Sequence, residues 1–304
     1  MAILGVRIEA HVLWLVKWHY LRLVQRLREA LLAPADIVVW GLTRKLSVET
    51  RRSWQRRGHL SLLDPLLSRG HLRIPFGLAE GMLLSTAHLD LGGAQTYAMV
   101  RGVHEPTVQE ALRRTLRSGD VFYDIGANIG ITGLAAARLV GRGGHVVSVE
   151  PEAANVRALH AHMRLNQLCG WLVIEAAATS RSAPVEVIGV EDSLWTRLAS
   201  VGEHPHERRR MIVRGVALDD LVASGEAPPP QVIKIDVEGA ELDVLEGMGT
   251  ILAVHRPALV VEMHGKNQAV CELLAQAGYR ITNLDGPQAP SQAGEQVHVL
   301  AEPA

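Results

Sequence analysis

From residue 107 onward, short continuous apolar runs alternate with stretches in which apolar positions recur every three or four residues. Apolar runs bounded by turn residues read as buried parallel strands, and the three-to-four spacing reads as helices packed on them. The pattern predicts a helix over 107–116, a strand over 121–125 entered through Gly119-Asp120, a helix over 131–139 and a strand over 145–149. A helix over 155–165 and a strand over 171–176 follow, then strands over 232–236 and 258–262 separated by a helix over 241–252. The tail offers 280–284 and 296–300 as an antiparallel pair joined around Asp285-Gly286. Repeated βα units closed by such a pair predict an α/β fold, a doubly wound and mostly parallel sheet with helices on both faces.

The pattern before residue 107 is different. Residues 6–32 read as an amphipathic helix with Trp14, Trp18 and Leu21 on one face, ended by Pro34. Residues 47–57 form a densely basic helical stretch, 60–67 a short one, and 70–75 a boundary. Residues 77–103 are turn-rich and alternating, which predicts a small strand-and-turn lead-in, and 189–210 are polar and irregular, which predicts an insertion. The expected organisation is a basic helical segment over 1–73 and an α/β domain over 74–304.

Composition changes this picture little: 48% hydrophobic and 21% charged residues are ordinary for a globular chain, and 4% aromatic content suits helices on parallel strands better than a β sandwich. Charge adds more. The net charge of -1 hides thirteen Lys/Arg against five Asp/Glu in residues 1–73. Such an excess can seat a helix on an anionic membrane surface or on nucleic acid, but it equally describes a solvated helix face, the preferred reading. Cys169 and Cys271 stand far apart without metal-ligand spacing, which favours a reducing cytoplasm over a disulfide framework. The apolar run 11–24 is broken by Lys17, His19 and Arg22, so no membrane span is expected. The expected location is cytoplasmic, with the basic helix as the contact should the chain lie at the inner membrane surface.

The most specific motif is Asp124-Ile-Gly126-Ala-Asn128-Ile-Gly130, which follows a strand and opens a helix. Its glycines permit a tight turn and close approach of the backbone to a ligand. Asn128 stands where a dinucleotide fingerprint needs its second glycine, and no Lys-Ser/Thr follows the last glycine as in a P-loop. Asp124 and Asn128 can instead hydrogen-bond the amino and carboxylate groups of an amino-acid moiety, which S-adenosylmethionine carries and NAD does not. Glu150, at the end of the next strand, can accept ribose hydroxyls. On strand 232–236, alternation puts Lys234 and Asp236 on one face, with Asp236 at the carboxyl end where open α/β sheets bind ligands. Lys234 reads equally as a catalytic group or as half of an ion pair with a carboxylate of a neighbouring strand. Glu262 and His264 alternate onto one face at the end of another strand and offer a general base with an ordinary pKa of roughly 6.5. With Asp236 they could bind a divalent metal, but no ligand pair has local helical spacing and no metal is expected.

Together the segments resemble the FkbM-type methyltransferase family, a branch of the class I S-adenosylmethionine-dependent enzymes. The resemblance spans roughly 107–265: FYDIGANIG at 122–130, VEPEAANVRALHAHMRLN at 149–166, the segment at Ala177, LDDL at 218–221, IKIDVEGAELDVLEGM at 233–248 and VVEMH at 260–264. It implies a seven-stranded sheet with an antiparallel last strand, and transfer of the methyl group of S-adenosylmethionine, usually to a hydroxyl oxygen of a sugar, glycolipid or polyketide. It also implies that Asp124, Gly126, Asn128 and Gly130 hold the methionine part, Glu150 the ribose and the stretch around Ala177 the adenine. Asp236, Glu238, Glu262 and His264 would line the acceptor side. The rival readings are a methyltransferase-fold protein without catalysis that binds a membrane surface or a partner, and an NAD-dependent reductase, against which Asn128 speaks. Nucleic acid is not an expected partner, because Asp236-Val-Glu-Gly stands where an Asn/Asp-Pro-Pro-aromatic segment would follow the fourth strand.

Overall fold

The computed structural model describes residues 70–85, 94–190, 196–201 and 207–304. The chain divides between Asp64 and Pro65, and all described residues belong to the second unit. The helices expected over 6–32, 47–57 and 60–67, with Trp14 and Trp18, lie outside the described residues.

The described chain opens with the antiparallel pair β1 (His71–Arg73) and β2 (Leu83–Ser85), followed by helices α1 (Ala94–Arg101) and α2 (Pro106–Thr115). The βα core follows as β3 (Val121–Ile125), α3 (Ile131–Val140), β4 (His145–Glu150), α4 (Ala153–Asn166) and β5 (Trp171–Glu175). Next come β6 (Ala177–Ala178), β7 (Val185–Val190), β8 (Thr196–Leu198), β9 (Glu207–Val213), β10 (Gly215–Val216) and α5 (Leu218–Ala223). The chain closes with β11 (Val232–Ile235), α6 (Glu241–Glu246), β12 (Ala258–His264), α7 (Asn267–Gln276), β13 (Tyr279–Asn283) and β14 (Gln296–Pro303).

Seven strands form one sheet in the order β13-β14-β12-β11-β3-β4-β5, in which β14 runs antiparallel to both of its neighbours and the rest are parallel. This is the doubly wound sheet expected. β3 and β11 are buried along their whole length, as strands covered by helices on both faces must be. Alternation then sorts the side chains. Val121, Tyr123, Ile125, Ile233, Ile235, Val261 and Val299 pack on one face. Phe122, Val146, Val232, Val260 and Leu300 pack on the other, against the α2 residues Val108, Ala111 and Leu112 and the α3 residue Leu134. The α2 residues recur at the three-to-four spacing of an amphipathic helix.

Three expectations need correction. The boundary at 70–75 carries strand β1, and the lead-in over 77–103 contains a helix, α1, as well as a strand. The described residues of the insertion expected over 189–210 are mostly strand, not irregular: β7, β8 and β9 form a three-stranded antiparallel unit in the order β8-β7-β9. Val187, Ile188 and Leu198 are buried while Arg209 and Arg210, consecutive and so on opposite faces of β9, are both exposed, and this run of arginines hid the alternation. The helix expected over 241–252 is interrupted after Glu246 at Gly247, where a Cβ would stand 2.1 Å from the Thr179 carbonyl oxygen, and a π turn over Ile251–His255 follows. Among the described residues no helix is long and apolar enough to cross a membrane.

Candidate active site

The sheet face that carries Phe122, Val232, Val260 and Leu300 changes character toward the carboxyl ends of its parallel strands. One pleat further along each strand stand Asp124, Ser148, Lys234, Glu262 and His298, all on the same face, with Asp124 and Lys234 level with Val260 and with Glu262 and His298 reaching one pleat beyond them. Above them opens a cavity of about 330 Å³ lined by the glycine turn (Ala127 to Gly130), by Lys234, Asp236, Glu238 and Glu262, and by Gln296 and His298 of β14. Met99, His104 and Glu105 close it from the α1–α2 connection, and Asp285 from the β13–β14 loop.

The glycine turn is held from two sides. Gly126 has φ of 76°, and a Cβ there would lie 1.8 Å from the Asp236 carbonyl oxygen, so only glycine lets the turn after β3 touch the end of β11. On the other side Glu150 accepts from the Asn128 N–H at 2.8 Å, the Glu152 N–H at 2.9 Å and the Asn155 amide at 3.1 Å. Its carboxylate therefore ties the turn to the start of α4, leaving about one acceptor position for a ligand. Burial pushes the Glu150 carboxyl up to about 7 against the pull of these donors. Asp124 is fully buried with neither oxygen hydrogen-bonded, and burial, opposed by Lys234, raises it to about 7. An orphaned buried carboxylate beside a glycine turn suits the ammonium group of an amino-acid ligand.

Across the cavity the Lys234 ammonium pairs with the Asp236 carboxylate at 2.8 Å. The partner is thus the residue just past the end of β11, whereas one of the two readings of Lys234 places it on a neighbouring strand. Burial would discharge Lys234, but Asp236, Glu105 and Asp124 hold it protonated. Burial likewise disfavours the Glu105 carboxylate, yet Lys234 and then His104 draw it down to about 2. His264 sets Nδ1 2.8 Å from Glu241 Oε1, and its Nε2 stands 3.6 Å from Glu238 and 3.7 Å from Glu262. Burial lowers the imidazole, but Glu241 outweighs it and keeps the ring protonated up to about 9, so His264 does not have the ordinary pKa expected of it. Glu238 is pushed up to about 7 by burial and by Asp236. Backbone strain gathers here too. Of the five non-glycine residues with positive φ among the described ones, Glu105, Asn128 and Glu238 all line the cavity.

The structure thus brings Asn128, Gly130, Lys234, Asp236, Glu238 and Glu262 onto one cavity. Asp124, Gly126, Glu150 and His264 support it without lining it, and Ala177 is buried in β6 among Val187, Leu198 and Ala240. Sequence reasoning missed Glu105, Asp285, Gln296 and His298. His298 takes Asp285 Oδ2 at 2.9 Å through Nδ1 and lies 3.3 Å from Glu262 Oε2 through Nε2, while Gln296 donates to Glu262 Oε1. Gln296, His298 and Leu300 alternate in the sequence, a signal that becomes legible only once β14 is placed beside β12.

The family model for the methyltransferase FkbM domain matches residues 124–281, from the glycine turn to β13. The chain belongs to the FkbM methyltransferase family. It is 30% identical over 176 residues to the hexuronic acid methyltransferase AglP of Haloferax volcanii, covering 57% of this chain and 69% of that protein. It is 26% identical over 262 residues to the 31-O-demethyl-FK506 methyltransferase FkbM of Streptomyces tacrolimicus, covering 76% of this chain and 95% of that one. Among solved structures, an FkbM methyltransferase from Methylobacillus flagellatus KT superposes with a TM-score of 0.43 at 18% identity, over 68% of this chain and 53% of that one. The protein is an S-adenosylmethionine-dependent methyltransferase with a class I fold.

Proposed function

We propose that this FkbM-family enzyme methylates a hydroxyl oxygen of a sugar, glycolipid or polyketide-type acceptor, seated in the cavity where the glycine turn meets the acidic tips of β11 and β12. One observation carries the reading: Asn128 and Gly130 share a single cavity with Asp236, Glu238 and Glu262, so donor and acceptor sides face each other. The two curated relatives, whose names specify a hexuronic acid and a 31-O position, support an oxygen acceptor.

S-adenosylmethionine, when bound, supplies an electrophilic methyl group with a good leaving group. Asp124 and the turn would hold its amino-acid end, Glu150 would offer its remaining acceptor position to a ribose hydroxyl, and the stretch after β5 would border the adenine through residues other than the buried Ala177. The chain's task is then alignment, worth up to roughly 7–11 kcal/mol, and removal of one proton. Glu238 takes that proton, because Asp236 is bound to Lys234 and His264 to Glu241, whereas Glu238 has no hydrogen bond to either and lines the cavity. Glu262, held by Gln296 and His298, orients the acceptor. The acceptor is a small molecule or a glycan on a lipid, not nucleic acid. A cytoplasmic setting, with the basic N-terminal segment as any membrane contact, fits the free Cys169 and Cys271.

The test is incubation of the full chain with methyl-labelled S-adenosylmethionine and uronic-acid glycans, neutral sugars or polyketides, read by mass spectrometry. Label on an acceptor oxygen is expected, and Glu238→Gln should cut turnover about 10²–10⁴-fold with cofactor affinity unchanged. Cofactor binding without transfer to any acceptor would favour the non-catalytic reading, and tight binding of NAD in its place would overturn the assignment.

A further inference from the structure

Asp236, Glu262 and His264 stand at the carboxyl ends of the adjacent parallel strands β11 and β12, and each places one potential ligand atom within 4.8 Å of the other two. We propose that these three residues bind a single divalent transition cation, of the Mn²⁺ or Zn²⁺ class, on the acceptor side of the cavity.

The argument starts with the imidazole. Its Nδ1 lies 2.8 Å from Glu241 Oε1, and the fully buried Glu241 is itself fixed by accepting from the Gly239 N–H at 2.9 Å. A buried carboxylate on one ring nitrogen sets the ring's rotation and presents the other nitrogen to a metal, the arrangement that orients metal-bound histidines. The other nitrogen, Nε2, is buried and has no hydrogen-bond partner. Its nearest acidic neighbours are Glu238 Oε2 at 3.6 Å and Glu262 Oε1 at 3.7 Å. Those separations are too long for hydrogen bonds. The His264–Glu262 gap leaves room for a cation: ligands about 2.1 Å from one ion stand roughly 3.0–3.4 Å apart at octahedral to tetrahedral angles, so the two side chains would draw in by a few tenths of an ångström on binding.

Charge points the same way. Four carboxylates, Asp236, Glu238, Glu241 and Glu262, converge here, and the neighbouring Lys234 is already committed to Asp236. One imidazole with two carboxylates favours a borderline transition ion over Mg²⁺, which prefers oxygen and retains its water. A second grouping, Glu105 with Glu262 and His298, is less suited. It draws on Glu105, which is already paired with His104 at 2.7 Å. A cation held by Asp236, Glu262 and His264 would polarise the acceptor hydroxyl beside Glu238. For that role the proposal rests on the methyl-transfer reading above; for binding it does not.

The test uses the chelator-stripped full chain titrated with Mn²⁺ alone, with bound and free ion separated by electron paramagnetic resonance and heats followed by calorimetry. One Mn²⁺ per chain, displaced by Zn²⁺, is expected. His264→Ala and Glu262→Gln should abolish binding, and Glu241→Gln, which leaves all three ligands in place, should weaken it about 10–100-fold. If a ligand variant fails to fold, the wild-type stoichiometry and the Glu241→Gln affinity still decide. A signal of free Mn²⁺ throughout a millimolar titration, or binding indifferent to His264→Ala and Glu262→Gln, overturns the proposal. S-adenosylmethionine affinity measured on the same preparation separates the two readings. Cofactor without Mn²⁺ removes the cation and spares methyl transfer, and Mn²⁺ without cofactor does the reverse.

Discussion

The base and the tip of one sheet face differ by a single pleat and by everything chemical. At the base, Phe122, Val146, Val232, Val260 and Leu300 pack against α2 and α3. One pleat toward the carboxyl ends, the same strands present Asp124, Ser148, Lys234, Glu262 and His298, and beyond them the cavity. Burial is similar in both rows. What differs is the number of polar atoms left without a hydrogen-bond partner: Asp124 has two and His298 one. The lower row uses burial for stability, and the upper row spends it on charges whose partner is a ligand or one another.

That contrast can be broken most strongly from below. Phe122→Ala removes a fully buried ring from the base of the face and should destabilise the domain by about 3–5 kcal/mol, read from denaturant midpoints. A loss below about 1 kcal/mol would mean that the base is not where the fold is anchored. Next, Ser148 sits in the upper row but serves structure, accepting from the Trp171 indole N–H at 2.9 Å. Ser148→Ala leaves that buried donor unpaired and should cost about 1–3 kcal/mol with little change in turnover at saturating substrate. A loss of turnover larger than the loss of stability would move Ser148 into the chemistry.

The third test uses pH. Burial raises the Glu150 carboxyl to about 7 in the folded chain, against 4.5 unfolded, so its contribution to stability is fully present below 4.5 and is lost as pH rises to 7. Cofactor binding needs the carboxylate to accept a ribose hydroxyl and should run the other way, strengthening up to about tenfold per unit as pH rises toward 7. Melting temperature and calorimetric affinity across that range should therefore diverge in wild type and diverge less in Glu150→Gln, where Asp124, also raised to about 7, keeps part of the dependence, and affinity equal at pH 6 and 8 would remove Glu150 from the ribose site. The smallest effect belongs to the solvent. Arg214 and Glu226 make an exposed bidentate pair at 2.8 and 2.6 Å, and Arg214→Ala should change stability by only ~0–1 kcal/mol.

Much of the βα core was legible because each buried parallel strand is a continuous apolar run and each covering helix keeps a three-to-four spacing. The glycine turn was legible because Gly126 and Gly130 take positive φ, 76° and 84°, a local demand of the turn that glycine meets without strain. The three-stranded unit β7-β8-β9 was not legible, since a run of consecutive arginines at 208–210 breaks the alternation that marks a strand. Nor was Lys234's partner, because a period of two puts Asp236 on the same face without saying that the two will touch.

Residue order alone therefore established the α/β alternation, the family, and which strand tips carry acids, since all three follow from contacts between residues close in sequence. The closing of Glu105 over the cavity, the seating of His298 beside Glu262 and the clamp of Glu241 on His264 required the fold. These pairs are 23 or more positions apart, 36 in the case of His298 and Glu262. Their meeting depends on β14 inserting between β12 and β13 and on α2 crossing the sheet, and long-range strand order of that kind leaves no periodic trace in any one segment.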